Sequence, residues 1–465
     1  MVRAASLLGH AFVCFVLVAS FACSGSDHAP QPPGKIVLIS IDTTRSDHLS
    51  GYGYRRETTP FLDRLARRGV RLANVYAPMP TTDPSHATML TGQYPRTHGI
   101  MFNAGKRSRP DDASLGSWLQ DRGYRTAAIT ARLGLDPRLR GIRGFDHTDA
   151  PELPARWRDA SEILARVERW LDARGADERW FLWAHLWEPH KPYQPEEPYR
   201  RRFLDRSIAK RWIRPDPARF VADRKLVPPR VVEAATALYD GEIATADDAV
   251  ARIIELVTSA APAGVEPLIL VVSDHGESLA ERQETHGVAF GHGALIYDEV
   301  VKVPWITVWQ DRLKPAVIET PVSLVDLTPT VIGLLGGAAP AAIEGRDLSR
   351  FLIAGSEPED VPILVERRLF RSKTNQRLSF PETAWIEFPW KLIVNEGAAA
   401  PELYRLDTDP GERDDLAAGR PEIARALGEK LERWKRERPL LPAGGPISRE
   451  QEQELRALRS LGYVE

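Results

Sequence analysis

Two cysteines, Cys14 and Cys23, are all that the 465 residues contain, and both precede Ser24. Downstream of them the chain has no thiol for a disulfide, a thiolate metal site or a cysteine nucleophile. An excess of one charge is missing as well. Lys and Arg number 62 against 64 Asp and Glu, a formal net charge of −2, so nothing marks a partner such as nucleic acid. The arginine-rich runs at 201–206 and 434–439 are interleaved with acids and apolar residues and read as solvated helix faces. Beyond the N-terminus no stretch is apolar for long enough to span a bilayer. What remains, 43% hydrophobic and 27% charged, is the composition of a soluble globular enzyme with one large core, or a large and a small domain.

The N-terminus "MVRAASLLGHAFVCFVLVASFACSGSD" has an early Arg3, an apolar run and small residues near its end, the pattern of an export signal over 1–23. Its ending is similar to a bacterial lipoprotein signal in which Cys23 is lipidated, with Ser20 where that pattern usually has Leu. Simple cleavage and a retained anchor are the alternatives. Residues 24–34 read as an extended tether. Localisation is therefore expected in the periplasm or on the outer membrane or cell surface, with membrane contact only through the N-terminal lipid or anchor.

From Lys35 the grammar is that of an α/β fold. "KIVLISID" and "PLILVVSDHGE" are near-continuous apolar runs that end on acids, as expected of strands buried on both faces. Between them lie capped amphipathic segments: "TTPFLDRLARRG", with Thr59 as cap and Gly69 as stop, "SLGSWLQDRG", and "DASEILARVERWLDARG", whose Ile163, Leu164, Val167, Trp170 and Leu171 share a face. The alternation predicts a mostly parallel sheet sandwiched by helices over 35–360, with ligands beyond the strands' C-terminal ends. Shorter alternating segments from about Val361 predict a smaller subdomain over 361–465, a small antiparallel sheet followed by a helical tail.

The residues that carry chemistry cluster at those predicted strand ends. Asp42 closes the first strand and Asp274-His275 a later one. "TTDPSHATMLTG" sets Thr82 before a helix, with Asp83 read as N-cap and Pro84 in the first turn, so that an anion could sit at the helix N-terminus. His86, His185, His190 and His292 lie in segments near the same rim and suit metal ligation or contact with an oxyanion. Ser85 is read as a backbone hydrogen-bond partner, and Asp47 and His48 as structural.

These stretches resemble the sulfatase family of the alkaline phosphatase superfamily. "KIVLISIDTTRSDHLSGYG", "TDPSHATMLTGQYPRTHGI", "HLWEPHKPY", "VVSDHGESL", "FGHGALIYDEVVKVP" and "ELYRLDTDPGERDDLA" occur in family order over nearly all of the chain after the signal. The resemblance implies Asp42, Thr82, Asp274 and His275 as ligands of a divalent metal, with Thr82 also the nucleophile. It implies His190 and Asn103 as contacts to the substrate anion; with the other polar residues assigned to the same rim, the reading takes His190, His292 and His86 as catalytic partners and Asn103, His185 and Lys302 as substrate contacts. Departures from the family pattern are sharp. Thr82 replaces the Cys or Ser that becomes formylglycine, Thr43 a second acidic ligand, His86 an Arg, His292 a Lys, and Lys302 an Arg; Arg132 is a weak stand-in for a further lysine.

A formylglycine hydrate expels sulfate by collapsing to an aldehyde, because a second hydroxyl stands on the same carbon. A threonine sulfate ester has no such route, whereas a threonine phosphate ester can be resolved by water or an alcohol. The reading is therefore an exported, metal-dependent hydrolase or transferase of an anionic ester, phosphate first, with Mn, Zn or Ca and no formylglycine. A second metal at His185, His190 and His292 stays open, no matching acid being evident. The substrate is a small-molecule, glycan or lipid-linked ester. The alternatives are a sulfatase by a route without formylglycine and a non-catalytic lipoprotein that binds anionic glycans.

Overall fold

The computed structural model describes residues 34–440 other than 104, 106–113, 153–154, 156, 205–225, 311 and 369–379, together with Arg456. The export signal with Cys23, residues 24–33 of the tether and most of the arginine-rich 201–220 segment lie outside the described residues. Residues 33–465 form one compact unit.

Its centre is a nine-stranded sheet. The strands that build it are β1 (Lys35–Ile41), β2 (Val70–Tyr76), β3 (Arg125–Ile129), β4 (His147–Asp149), β5 (Trp180–Leu186) and β6 (Leu268–Ser273). After a separate hairpin of β7 (Ser278–Arg282) and β8 (Val288–Gly291) come β9 (Lys302–Val308), β10 (Ala316–Ile318) and β11 (Val322–Ser323). The order is β10-β2-β9-β6-β1-β5-β3-β4, with β11 beside β2. Only β9 runs against its neighbours, pairing antiparallel with both β2 and β6.

Both faces of the sheet are covered. Ile36 and Leu38 of β1 pack on one side with Met89, Leu90 and Val331, while Val37, Ile39 and Ile41 pack on the other with Ile163, Val167, Leu238 and Ile253. This two-sided burial is why the central strands read as unbroken apolar runs rather than alternating ones. The helix Ala160–Asp172 begins on a capping box of Asp159 and Glu162 and buries the expected face. A 31-residue helix, Pro229–Ser259, lies on the same side.

The helix that starts at Pro60 stops at Ala66, short of Gly69. Gly69 is needed for another reason: a Cβ there would collide with the Thr307 carbonyl of β9. The helix of the "TTDPSHATMLTG" segment runs Thr82–Thr91 with Thr81 as N-cap, so Asp83 and Pro84 lie inside its first turn rather than ahead of it.

A second, antiparallel sheet of β12 (Ile363–Arg367), β13 (Glu382–Glu387), β14 (Trp390–Asn395) and β15 (Glu402–Arg405) precedes the helix Pro421–Glu437. An ionic cluster ties it to the segment before β9. Lys391 Nζ on β14 is 2.8 Å from Asp298 Oδ1 and 2.7 Å from Glu412 Oε1, with Lys391 and Glu412 wholly buried. Among the described residues no helix is long and apolar enough to cross a membrane.

Removing one partner from such a cluster leaves desolvated charge behind. Lys391→Ala is expected to cost about 3–5 kcal/mol, read as a lower midpoint of chemical denaturation against the parent chain.

Candidate active site

β1 lies between β5 and β6, with Ile41 opposite both Leu186 and Ser273. The three strands stop at one level, so the next residues of β1 and β6, Asp42 and Asp274, leave the sheet side by side. Asp42, Asp274 and His275 are fully buried, and their ligand atoms all lie within 4.8 Å of one another. His275 Nε2 is 3.3 Å from Asp274 Oδ2 and 3.9 Å from Asp42 Oδ1. Thr82 Oγ1, at the start of its helix, is 3.3 Å from the same nitrogen.

The polar groups of this cluster are incompletely paired. Asp274 Oδ1 accepts hydrogen bonds from the N–H groups of Thr43 and His275, at 3.1 and 2.8 Å. Asp274 Oδ2 and both carboxylate oxygens of Asp42 are buried and accept none. His275 Nδ1 is 2.9 Å from the Gly276 carbonyl. A carbonyl can only accept, so Nδ1 carries a proton, and in the neutral ring the lone pair is then on Nε2. Desolvation raises Asp42 to about 7 against the pull of nearby His275 and Arg132. Asp274 is raised for the same reason, with the Asp42 carboxylate adding to the effect.

The turn after β1 carries strain. Thr43 has φ of 50°, an unusual value for a β-branched residue, and the conformation directs its N–H at Asp274. The Tyr239 hydroxyl donates to the Thr43 carbonyl at 2.7 Å and holds the turn.

The histidines divide by what their nitrogens do. His86 Nδ1–H donates to the Thr82 carbonyl at 2.9 Å, and its Nε2 faces Ser40 Oγ at 3.0 Å. Ser40 Oγ already accepts from Trp183 Nε1–H, so its own proton goes to His86. His86 is thus a neutral brace beneath Thr82, and burial lowers it to about 4. His185 Nδ1 accepts from Ala131 N–H at 3.3 Å, which puts the proton of the neutral ring on Nε2, 3.5 Å from Asp42 Oδ2. Burial lowers His185 to about 3. That tautomer steadies Asp42 and offers no lone pair on the site side.

His190 donates from Nδ1 to the Lys191 carbonyl at 2.6 Å and stacks on Trp187. His292 Nδ1 is 3.3 Å from Glu277 Oε2, and its ring centroid is 4.3 Å from that of His275 and 5.1 Å from that of His190. Burial pushes both well below the ordinary histidine value. Asn103 Oδ1 accepts from Asp83 N–H at 3.0 Å, which places it at the helix N-terminus. Lys302, at the start of β9, lines a cavity of about 860 Å³ with Arg45, Asp47 and Glu281. That lining includes none of Asp42, Thr82, Asp274 or His275. Ser85 Oγ donates to the Asp274 carbonyl at 2.6 Å, and His48 Nδ1 meets Asp240 Oδ1 at 2.7 Å.

Two features of the site were not read from the sequence. Asp83, expected as a helix cap, instead pairs through its carboxylate with buried Arg132 and with Arg140, the latter at 3.1 Å. Glu277, two residues past His275 and fully buried, is the acid beside His292; burial raises it to about 7 against the nearby Lys191 charge.

The family model for sulfatases matches residues 35–338. The chain belongs to the sulfatase family. Among curated relatives it is similar to YidJ, an uncharacterized sulfatase of Escherichia coli (strain K12), at 24% identity over 82% of each chain. It is also similar to the mouse (Mus musculus) steryl-sulfatase, at 28% identity over 72% of this chain and 67% of that one. Among solved structures, the phosphonate monoester hydrolase of Silicibacter pomeroyi superposes with a TM-score of 0.70 at 20% identity, covering 90% of this chain and 98% of that one. A protein solved with its substrate D-glucosamine-2-N,6-O-disulfate gives 0.70 at 18% identity, covering 88% of this chain and 98% of that one. These two likenesses speak to the fold. As a family member the chain is a sulfatase-family hydrolase.

Sulfatase-family enzymes depend on a metal, and the residues here fit one. Three buried carboxylate oxygens that accept no hydrogen bond converge with one imidazole nitrogen beside the Thr82 hydroxyl, an arrangement that a divalent cation balances. Asp42→Asn separates binding from folding. Removing a buried, unpaired charge should raise the melting temperature of the metal-free protein, by about 1–3 kcal/mol in stability, and abolish the further rise that Mn²⁺ or Zn²⁺ gives the parent; thermal melts with chelator and with metal read both.

Proposed function

We propose that the chain is an exported, metal-dependent phosphoric-ester hydrolase or transferase that works through Thr82. The carrying observation is a threonine hydroxyl 3.3 Å from His275 Nε2, beside Asp42 and Asp274, in a chain whose only cysteines are Cys14 and Cys23. The ligand set is Asp42, Thr82, Asp274 and His275, three oxygens and one nitrogen, which suits Mn²⁺ or Zn²⁺ at least as well as Ca²⁺. Bound there, the ion would neutralise the oxygens of the transferred group and lower the pKa of the Thr82 hydroxyl.

The chain's own groups do the rest. Thr82 Oγ1 bonds to phosphorus as the bond from phosphorus to the leaving oxygen breaks, the hydroxyl proton passing to solvent and the leaving oxygen taking one from water. Water or an alcohol then attacks the same phosphorus and frees Thr82, releasing phosphate or a new ester. His86 braces the Thr82 carbonyl and so fixes where Oγ1 points. His190 and His292 flank the group in transit, and Asn103 steadies the helix N-terminus that faces its charge. Arg132, held by Asp83 within coulombic reach of Asp42, supplies a permanent positive charge.

Sulfate esters are the competing substrate, because the matched relatives carry sulfatase names. The chemistry of threonine favours phosphate over them, since a threonine sulfate ester lacks the collapse to an aldehyde open to a formylglycine hydrate and must await attack of water at sulfur. Turnover of an aryl phosphate, a phosphodiester and an aryl sulfate by the metal-loaded protein tests the choice. Phosphate-ester turnover is expected to exceed sulfate turnover, and Thr82→Ala to reduce it on the order of 10³-fold or more. Sulfate turnover that survives the substitution would overturn the proposal.

A further inference from the structure

Three large apolar side chains stand exposed on the loops that hold the floor of the site: Phe102 at 48%, Leu139 at 38% and Trp157 at 39%. Each is tied to a partner of Asp83, the neighbour of Thr82. Phe102 adjoins Asn103, which accepts from Asp83 N–H. Leu139 adjoins Arg140, which pairs with the Asp83 carboxylate. The backbone of Trp157 bridges that of Arg132, the other arginine on Asp83. The first two loops are also joined directly, Arg140 Nη1 donating to the Gly105 carbonyl at 3.2 Å and Gly105 N–H to the Phe102 carbonyl at 3.0 Å.

Trp157 leads inward. Its indole lies flat on Trp187, 5.6 Å between centroids and 6° between planes, and Trp187 stacks on His190 at 3.9 Å. His190 meets His292, which lies against His275. An aromatic path therefore runs from an exposed indole to the imidazole beside Thr82.

The two layers differ in chemistry. Inside, Arg132 and Arg140 pair with Asp83, next to the Thr82 hydroxyl that an anionic head would meet. Outside, the same loops expose Phe102, Leu139 and Trp157 to water, and Trp157 is the one whose ring stack continues inward to the site. Two polar side chains of these loops are engaged within the protein: Asn103 Oδ1 accepts from Asp83 N–H, and Arg158 donates to the carbonyls of Asp149 and Ala150. We infer that Trp157, with Phe102 and Leu139, receives the ester's leaving group, and that this group is apolar and bears an aromatic ring. The inference rests on the anionic-ester reading of the site and adds the other half of the substrate.

Binding tests it without turnover. The full chain is titrated calorimetrically with 2-naphthylphosphonate and methylphosphonate, with the sulfonates of the same two groups, and with glucose 6-phosphate. For the head group that binds, the naphthyl compound is expected to bind at least ~10-fold more tightly than the methyl compound. Trp157→Ala should remove most of that ratio by weakening the naphthyl compound, and Trp157→Phe should keep it. A ratio near one in the parent, a ratio unchanged in Trp157→Ala, tighter binding of glucose 6-phosphate, or no binding of either head group overturns the inference. The expected binding pattern in a protein that turns over no ester would count against the hydrolase reading while leaving the subsite standing.

Discussion

The register of β1 against its two neighbours is the constraint on which the site depends. Ile41 sits opposite Leu186 on one side and Ser273 on the other, so three buried parallel strands end together. A slip of one residue in either pairing would turn alternate side chains to the opposite face and carry Asp42 away from Asp274. That register is held by apolar packing on both faces of the sheet, with Ile36 and Leu38 on one and Val37, Ile39 and Ile41 on the other. Ordinary core burial thus does work that no residue of the site could do alone, setting two carboxylates within ligand distance although 231 positions separate Thr43 from Asp274.

Two carboxylates so placed are unfavourable by themselves. Desolvation raises both, the Asp42 carboxylate raises Asp274 further, and the pull of His275 does not offset the burial; burial also lowers His86, His185, His190 and His292. The strained Thr43 adds a further cost. The rest of the fold sustains this arrangement: Tyr239 ties down the turn at Thr43, Ser85 fixes the Asp274 carbonyl, and the Lys391, Asp298 and Glu412 cluster anchors the segment leading to β9. A preorganised, electron-rich pocket of this kind is what a cation-assisted ester reaction requires.

The sheet and its strand ends were legible in the sequence because burial on both faces leaves a simple trace, apolar runs that stop at an acid. Asp42, Thr82, Asp274 and His275 were legible for the same reason, each standing at an element's end. The tautomers were not, since the direction of a histidine depends on partners such as Ala131 N–H and Ser40, which lie far away in the chain. Asp83 was misread because Asp before Pro looks like a cap, and only the fold brings Arg132 and Arg140 to it. Glu277 carried a faint signal, an acid closing the run "SDHGE", but its pairing with His292 arises from the β7–β8 hairpin. Gly69 looked like a helix stop and proved to be a close approach to β9.

Trapping the intermediate tests the central claim most directly. The metal-loaded protein is mixed with an aryl phosphate, quenched in acid during turnover and mapped by peptide mass spectrometry. A phosphoryl group on the peptide that spans Thr82, at Thr82 itself and not at Ser85, is the predicted result. Steady turnover with Thr82 unmodified, or with the group on another residue, would contradict the account.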